Sequence, residues 1–113
     1  MLITVAETPE YIRCAARLLS AEERSGVVVY LAANPTAGDL IQGTGGVRKL
    51  RWAHGGRGKS GGVRVVYFFH SESIPLYLLT VFGKNERANL SHAERNDLAE
   101  IVGMLKKLLQ RRQ

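Results

Sequence analysis

The chain has 113 residues, 45% of them apolar, and a formal net charge of +6, which predicts one folded domain over residues 1–113 with a single modest core. No apolar run reaches the roughly 18 residues of a membrane span. The N-terminus lacks the basic-then-apolar order of a secretion signal, and the single cysteine, Cys14, forms neither an internal disulfide nor a zinc cluster. We therefore expect a cytoplasmic protein with no metal ion, no cofactor and no contact with a membrane.

The N-terminal third predicts one strand followed by two helices. Residues 2–5 are short, apolar and β-prone, which is typical of a strand. Residues 8–10 (Thr-Pro-Glu) supply an N-cap, a first-turn proline and a first-turn carboxylate, the preferred order for a helix start. Ser20 opens a capping-box sequence and starts the second helix, which ends near Asn34. Its β-branched run at 27–30 would also suit a strand.

The remainder predicts three strands and a closing helix. Residues 36–46 form a glycine-bearing loop. Three strand-like stretches follow: 47–52, 63–70 and 76–82. The second and third of these are joined by a tight connection and form an antiparallel hairpin. Ser91 starts a capping box for a helix that continues to the C-terminus. The order β-α-α-β-β-β-α predicts an α+β domain, with a small, mostly antiparallel sheet covered by two N-terminal helices and a C-terminal helix.

One glycine-rich stretch, residues 53–60, fits a lenient phosphate-loop pattern. A true phosphate loop leads into a helix, whose N-terminal amides hold the phosphates. Here the residues that follow, 63–70, predict a strand, and the parallel βαβ framework is missing. We therefore exclude a nucleotide hydrolase.

The excess of positive charge is confined to the middle of the chain. No acidic residue falls between Asp39 and Glu72, and outside that window ten basic residues balance ten acidic ones. Six basic residues lie within it: Arg48, Lys49, Arg51, Arg57, Lys59 and Arg64. This distribution indicates an anionic partner, whether nucleic acid, acidic lipid or an acidic protein; a merely solvated basic surface would show the same composition.

Strand alternation brings some of these cations together. Lys49 and Arg51 point to one side of their strand, and Arg64 shares its face with the apolar residues of the next. If the two strands are neighbours, the three side chains converge on one side of the sheet. An arginine in an otherwise apolar strand destabilises the fold unless it meets an anion or opens to water. The alternative is a salt bridge to Glu86 or to a carboxylate of the closing helix.

Taken together, three stretches resemble the RelE/ParE superfamily of bacterial toxins, and most closely its HigB-type branch: 47–52, 58–67 and 77–91. With the helix pair and the closing helix, the likeness covers nearly the whole chain as a single RelE/HigB-like toxin domain. It implies a metal-independent, ribosome-dependent mRNA endoribonuclease that inhibits translation. It also implies a cognate antitoxin, of the helix-turn-helix HigA type, that silences the toxin. Such pairs often repress their own operon, so operator DNA would be bound only through the antitoxin.

The resemblance also implies roles for particular residues. Lys49 and Arg51 match basic strand positions of RelE-type toxins, and Arg64 matches their phosphate-facing arginine. Lys84 matches a basic residue after the last strand. We add further basic residues as candidate RNA contacts: Arg48, Arg57, Lys59 and Arg87.

The acid and the base do not transfer from the family. Asn85 stands where the best-known RelE pattern has an arginine, and Ser91 followed by His92 stands where it has a tyrosine. His92, His54 or a lysine of lowered pKa are the candidates for proton transfer. A non-enzymatic alternative stays open: a ParE-like inhibitor of DNA gyrase, or a basic RNA-binding module.

Overall fold

The order of helices and strands follows the expected α+β arrangement. The computed structural model describes residues 2–53, 62–84, 86 and 89–111. Their elements are β1 (Val5–Glu7), α1 (Pro9–Leu18), α2 (Ala21–Ala33), β2 (Asp39–Leu40), β3 (Val47–Trp52), β4 (Val63–Phe68), β5 (Leu76–Gly83) and α3 (His92–Arg111). The run at 27–30 is helical, within α2. The phosphate-loop stretch from residue 54 onward lies outside the described residues, and strand β4 follows it as predicted.

A single mixed sheet has the strand order β1-β5-β4-β3-β2. Strand β1 pairs with β5 in parallel, whereas the other neighbouring pairs are antiparallel, including the predicted β4–β5 hairpin. The sheet is therefore mostly antiparallel, as expected.

Two expectations about strands were wrong in detail. The first strand is Val5–Glu7 rather than residues 2–5, because the Ile3 N–H donates to the carbonyl of Ala32 at 3.1 Å, at the end of α2, instead of to a strand. The segment 36–46, expected to be loop throughout, contains the two-residue strand β2. Pairing of Asp39 with Lys49 defines this strand, and so short a strand leaves no alternation in the sequence.

The two N-terminal helices begin at side-chain caps. The Thr8 hydroxyl oxygen accepts from the Tyr11 N–H at 3.3 Å, and the same hydroxyl donates to the Leu78 carbonyl at 2.8 Å, which ties the start of α1 to β5. Ser20 and Glu23 form both bonds of a capping box at the start of α2. The helices then cover one face of the sheet, where the core is built from Tyr11, Ala15, Val27, Leu31, Val65, Tyr67 and Leu78.

Helix α3 covers part of the opposite face. Its Leu98 and Val102 pack with Val47, Val66 and Phe68 of the sheet. The basic side chains of β3 and β4 lie on this same face but outside that apolar cluster, so α3 leaves them accessible. In the described part of the chain, no helix is long and apolar enough to cross a membrane.

Candidate functional site: a basic pocket on the sheet

Three cations line one pocket on the face that α3 leaves open. Arg51 on β3 is the direct partner of Arg64 on β4, and Lys49 is the partner of Val66. The three charged side chains therefore lie on one side of the sheet, as strand alternation predicts. They line a pocket of about 540 Å³ together with Trp52 and other residues: Ala37, Asp39, Leu50, Ala53 and Asn89. We call this the basic pocket.

Arg64 is the most buried of these cations, with only 9% of its surface exposed. Its guanidinium donates to the Val63 carbonyl at 3.4 Å, and no carboxylate of the described residues lies within salt-bridge distance of it. The candidate partner Glu86 instead pairs with Arg17 at 3.1 Å. Burial, and secondly the charge of Arg51, lower the pKa of the Arg64 guanidinium. A bound anion would oppose both effects, since it would pair with the buried charge and offset the repulsion.

Lys49 is held at the border of the pocket by the segment before α3. Its Nζ donates to Asn89 Oδ1 at 2.9 Å. That segment is fixed on its other side by a capping box, in which the Ser91 N–H donates to Glu94 Oε1 at 2.8 Å and the Glu94 N–H donates to Ser91 Oγ at 3.1 Å. The ammonium therefore has a defined position with donors remaining for a ligand.

The opposite wall of the pocket is a loop tied down from the core. The Tyr67 hydroxyl accepts from the Gly38 N–H and donates to the Pro35 carbonyl, both at 2.9 Å. A Cβ at position 38 would lie 2.9 Å from Tyr67 Cε1, so only glycine allows this approach. Arg48 adds bonds to the carbonyls of Thr36 and Gly38. These contacts hold Asp39, which follows directly, at the pocket.

The other predicted site residues lie elsewhere. Arg48 is on the opposite side of β3, opposite Tyr67, where it holds the loop just described. Lys84 is exposed after β5, and its N–H donates to the Gly62 carbonyl at 3.1 Å, so it lies at the same end of the sheet as Arg64 but does not line the pocket. His92 is exposed as the first residue of α3 and does not line it either. The remaining candidates lie outside the described residues: His54, Arg57, Lys59 and Arg87.

Two charged residues near the basic pocket were missed by reasoning from the sequence. Asp39 lines the basic pocket, whereas the sequence predicts only a glycine-bearing loop at this position. Arg95, on the first turns of α3, lines a second pocket that also contains Lys49 and Asn89. Its position four residues after the Ser91 cap was the available signal, since that spacing places it near the helix start.

The chemistry available at the basic pocket is binding and stabilisation of a phosphate. Preorganised cations on rigid strands stabilise negative charge without rearrangement. Apart from arginine, the described side chains of the pocket that exchange protons are Lys49 and Asp39. No group of three or more His, Cys, Asp or Glu in the described ranges is placed to hold a metal ion.

Comparison with known proteins agrees with this fold. A family model described as the RelE toxin of the RelE/RelB toxin–antitoxin system matches residues 16–112. A solved structure of the E. coli toxin RelE in the free state, a variant with two arginine-to-alanine substitutions, is similar with a TM-score of 0.59 at 20% sequence identity. The likeness covers 86% of this chain and 97% of that one, and at this identity it shows a shared fold. Because the family model spans most of the sequence, the chain belongs to the RelE family of toxin–antitoxin toxins, as its resemblance to the RelE/ParE superfamily implies.

Proposed function

We propose that this toxin is a ribosome-dependent endoribonuclease of the HigB type, which cleaves messenger RNA in the basic pocket and so inhibits translation. The observation that carries the proposal is the direct pairing of Arg51 with Arg64 across β3 and β4. Like charges directly opposite each other destabilise a strand pair. A phosphate bound between them would attract both guanidinium groups, and this attraction would outweigh their mutual repulsion.

Cleavage of RNA by its own 2′-hydroxyl sets three chemical requirements. The hydroxyl must lose its proton, the doubly charged phosphorane must be stabilised, and the 5′-oxygen must be protonated as it leaves. Arg64, Arg51 and Lys49 supply the second requirement as fixed positive charge. Lys49 and Asp39 are the described residues of the pocket suited to the proton transfers.

The pocket is open to solvent, so the toxin itself provides little to orient the RNA backbone. A message held in the ribosome would be presented in one conformation, and holding reactants in place accelerates such a reaction strongly. We therefore expect cleavage of translated messages and much slower cleavage of naked RNA.

The experiment is a reconstituted translation reaction in which new 5′ ends of the message are mapped. The parent toxin should create such ends, and Arg64→Ala should reduce their rate of formation by about 10²-fold or more, the usual loss when one stabilising donor is removed. Arg13→Ala is the matched control, because Arg13 is an exposed arginine of α1 that pairs with Glu10. Circular dichroism would verify that both variants are folded.

The outcomes separate the proposal from its alternative. If the parent produces no cleavage, the enzyme assignment is wrong; if Arg64→Ala cleaves like the parent, Arg64 has no part in the mechanism. Inhibition of DNA gyrase supercoiling by the parent, without cleavage, would instead assign a ParE-like activity. A basic RNA-binding module would bind messages and leave both reactions unchanged.

We further propose that the cognate antitoxin is a helix-turn-helix protein of the HigA type, and that it silences the toxin by blocking the basic pocket. Operator DNA would then be bound through the antitoxin alone. Family membership supports an antitoxin partner in general. Coexpression with the neighbouring reading frame should yield a complex without ribonuclease activity; an active complex would contradict this mode of silencing.

A further inference from the structure

A second pocket lies beside the basic pocket. It has a volume of about 410 Å³ and shares Asp39, Lys49 and Asn89 with the basic pocket. Apolar residues of β2, of the following loop and of the segment before α3 form its walls: Leu40, Ile41 and Leu90. Arg95 enters it from α3. The two pockets are therefore adjacent, with Lys49 on the border between them.

Arg95 is placed where an arginine destabilises the protein unless it meets an anion. Its Nε is buried and has no hydrogen-bond acceptor among the described residues, and no described carboxylate pairs with its guanidinium. A buried donor of this kind destabilises the folded protein when it lacks an acceptor. The charge also lies near the positive end of the α3 dipole, which disfavours cations.

We propose that Arg95 binds the phosphate of the nucleotide next to the cleaved bond. The inference rests on the proposed function, because it takes the basic pocket as the position of the scissile phosphate. The second pocket has two cations, Lys49 and Arg95, against the single carboxylate of Asp39. A phosphodiester there would accept from the guanidinium of Arg95, and the ammonium of Lys49 would lie between the two phosphates. The ligand class is thus single-stranded RNA that spans both pockets.

The test measures RNA binding as a function of salt concentration. The probe is a fluorescently labelled RNA of about six nucleotides in which every 2′-hydroxyl is methylated, so that it cannot be cleaved. Each phosphate contact with single-stranded nucleic acid contributes about 0.7 to the slope of log K against log salt. Arg95→Gln should therefore weaken binding and reduce the slope by about 0.7. Arg95→Lys should retain most of the slope.

Arg13→Gln is the matched control, because it removes the same charge from an exposed, ion-paired position on α1. It should leave the slope unchanged. In the translation assay, Arg95→Gln should raise the toxin concentration needed for half-maximal cleavage, whereas Arg13→Gln should leave that concentration at the parent's value.

Several results would overturn the inference while leaving the proposed function intact. One is an unchanged salt slope in Arg95→Gln with normal cleavage by the parent. Another is an equal loss of binding in Arg95→Lys and Arg95→Gln, which would indicate a role in packing. A fall in the maximal rate alone would also contradict it, since it would place Arg95 in the chemistry. Absence of cleavage by the parent would instead remove the proposed function on which the subsite depends.

Discussion

Two tyrosines of the same core differ in what their hydroxyl groups contact. The Tyr67 hydroxyl makes two hydrogen bonds to the loop beside the basic pocket, to Gly38 and Pro35. The Tyr11 hydroxyl is buried without a hydrogen-bond partner among the described residues. Both side chains are fully buried, so the same substitution, tyrosine to phenylalanine, removes an oxygen from two similar environments. The structure predicts a loss of stability for Tyr67→Phe and no loss for Tyr11→Phe.

The magnitude for Tyr67→Phe follows from the two bonds lost. The buried Gly38 N–H would have no acceptor, which costs about 1–3 kcal/mol. The Pro35 carbonyl is only partly buried and can bond to water, so its loss costs about 0.5–1.5 kcal/mol. The free energy of unfolding should fall by about 1.5–4.5 kcal/mol, and the Tm by roughly 6–18 °C for a domain of this size. Tyr11→Phe removes an unsatisfied buried oxygen, and should be neutral or stabilise by up to about 1 kcal/mol.

Urea and thermal unfolding of the purified variants measure both effects. Tyr77→Phe serves as a further control, because Tyr77 is only partly buried on β5; it should change stability by less than about 0.5 kcal/mol. Equal losses in Tyr67→Phe and Tyr11→Phe would refute the reasoning, since the effect would then come from packing around the ring.

The loop that Tyr67 holds also keeps Asp39 at the pocket, so Tyr67→Phe should slow messenger cleavage more than Tyr11→Phe does.

The other predictions concern pH, the cap of α3 and proton transfer. Burial, more than any other cause, raises the pKa of Tyr11 to about 12 from 10.0. Since the phenolate then forms more easily in the unfolded chain, stability should be intact below pH 10 and fall as the pH rises from 10 towards 12; Tyr11→Phe should make that fall in the urea midpoint shallower. Ser91→Ala should cost about 1 kcal/mol through loss of the cap, whereas the exposed Ser25→Ala, measured in the same urea titration, should cost much less. Asp39→Asn should tighten RNA binding, because it removes a negative charge from the pocket, and should slow cleavage by about 10²-fold or more if Asp39 transfers a proton; unchanged cleavage would exclude Asp39 from that step.

The parts of the site that could be predicted from the sequence are those with a local rule. Alternation along a strand has a period of two residues, so it placed Lys49 and Arg51 on one side without any knowledge of the fold. Their meeting with Arg64 required only that β3 and β4 be neighbours, and the structure shows that they are. Capping boxes at Ser20 and Ser91 are equally local, and both helix starts were predicted correctly.

The parts that were missed depend on contacts between distant segments. Asp39 reaches the pocket because Tyr67, far along the chain, holds the preceding loop. Arg95 reaches the second pocket because α3 packs across β3 and β4 with its first turns beside Lys49. Neither arrangement leaves a periodic pattern in the sequence. Before the fold is known, Asp39 and Arg95 look like ordinary surface residues of a loop and a helix.

One face of the sheet carries both an apolar core and a buried positive charge. The first stabilises the fold, and the second destabilises it. Val66 and Arg64 lie on the same strand and the same face, two positions apart. The first is covered by α3 and adds to the core, whereas the second lies beside Arg51 with its charge buried and repelled. An apolar side chain at position 64 would pack without that repulsion, so the fold alone gives no reason for an arginine there. Because no described carboxylate pairs with Arg64, an anion that enters the pocket would offset this repulsion. Under the proposed function, the free energy that destabilises the unbound toxin would then favour binding of phosphate, and most of all of the more highly charged phosphorane.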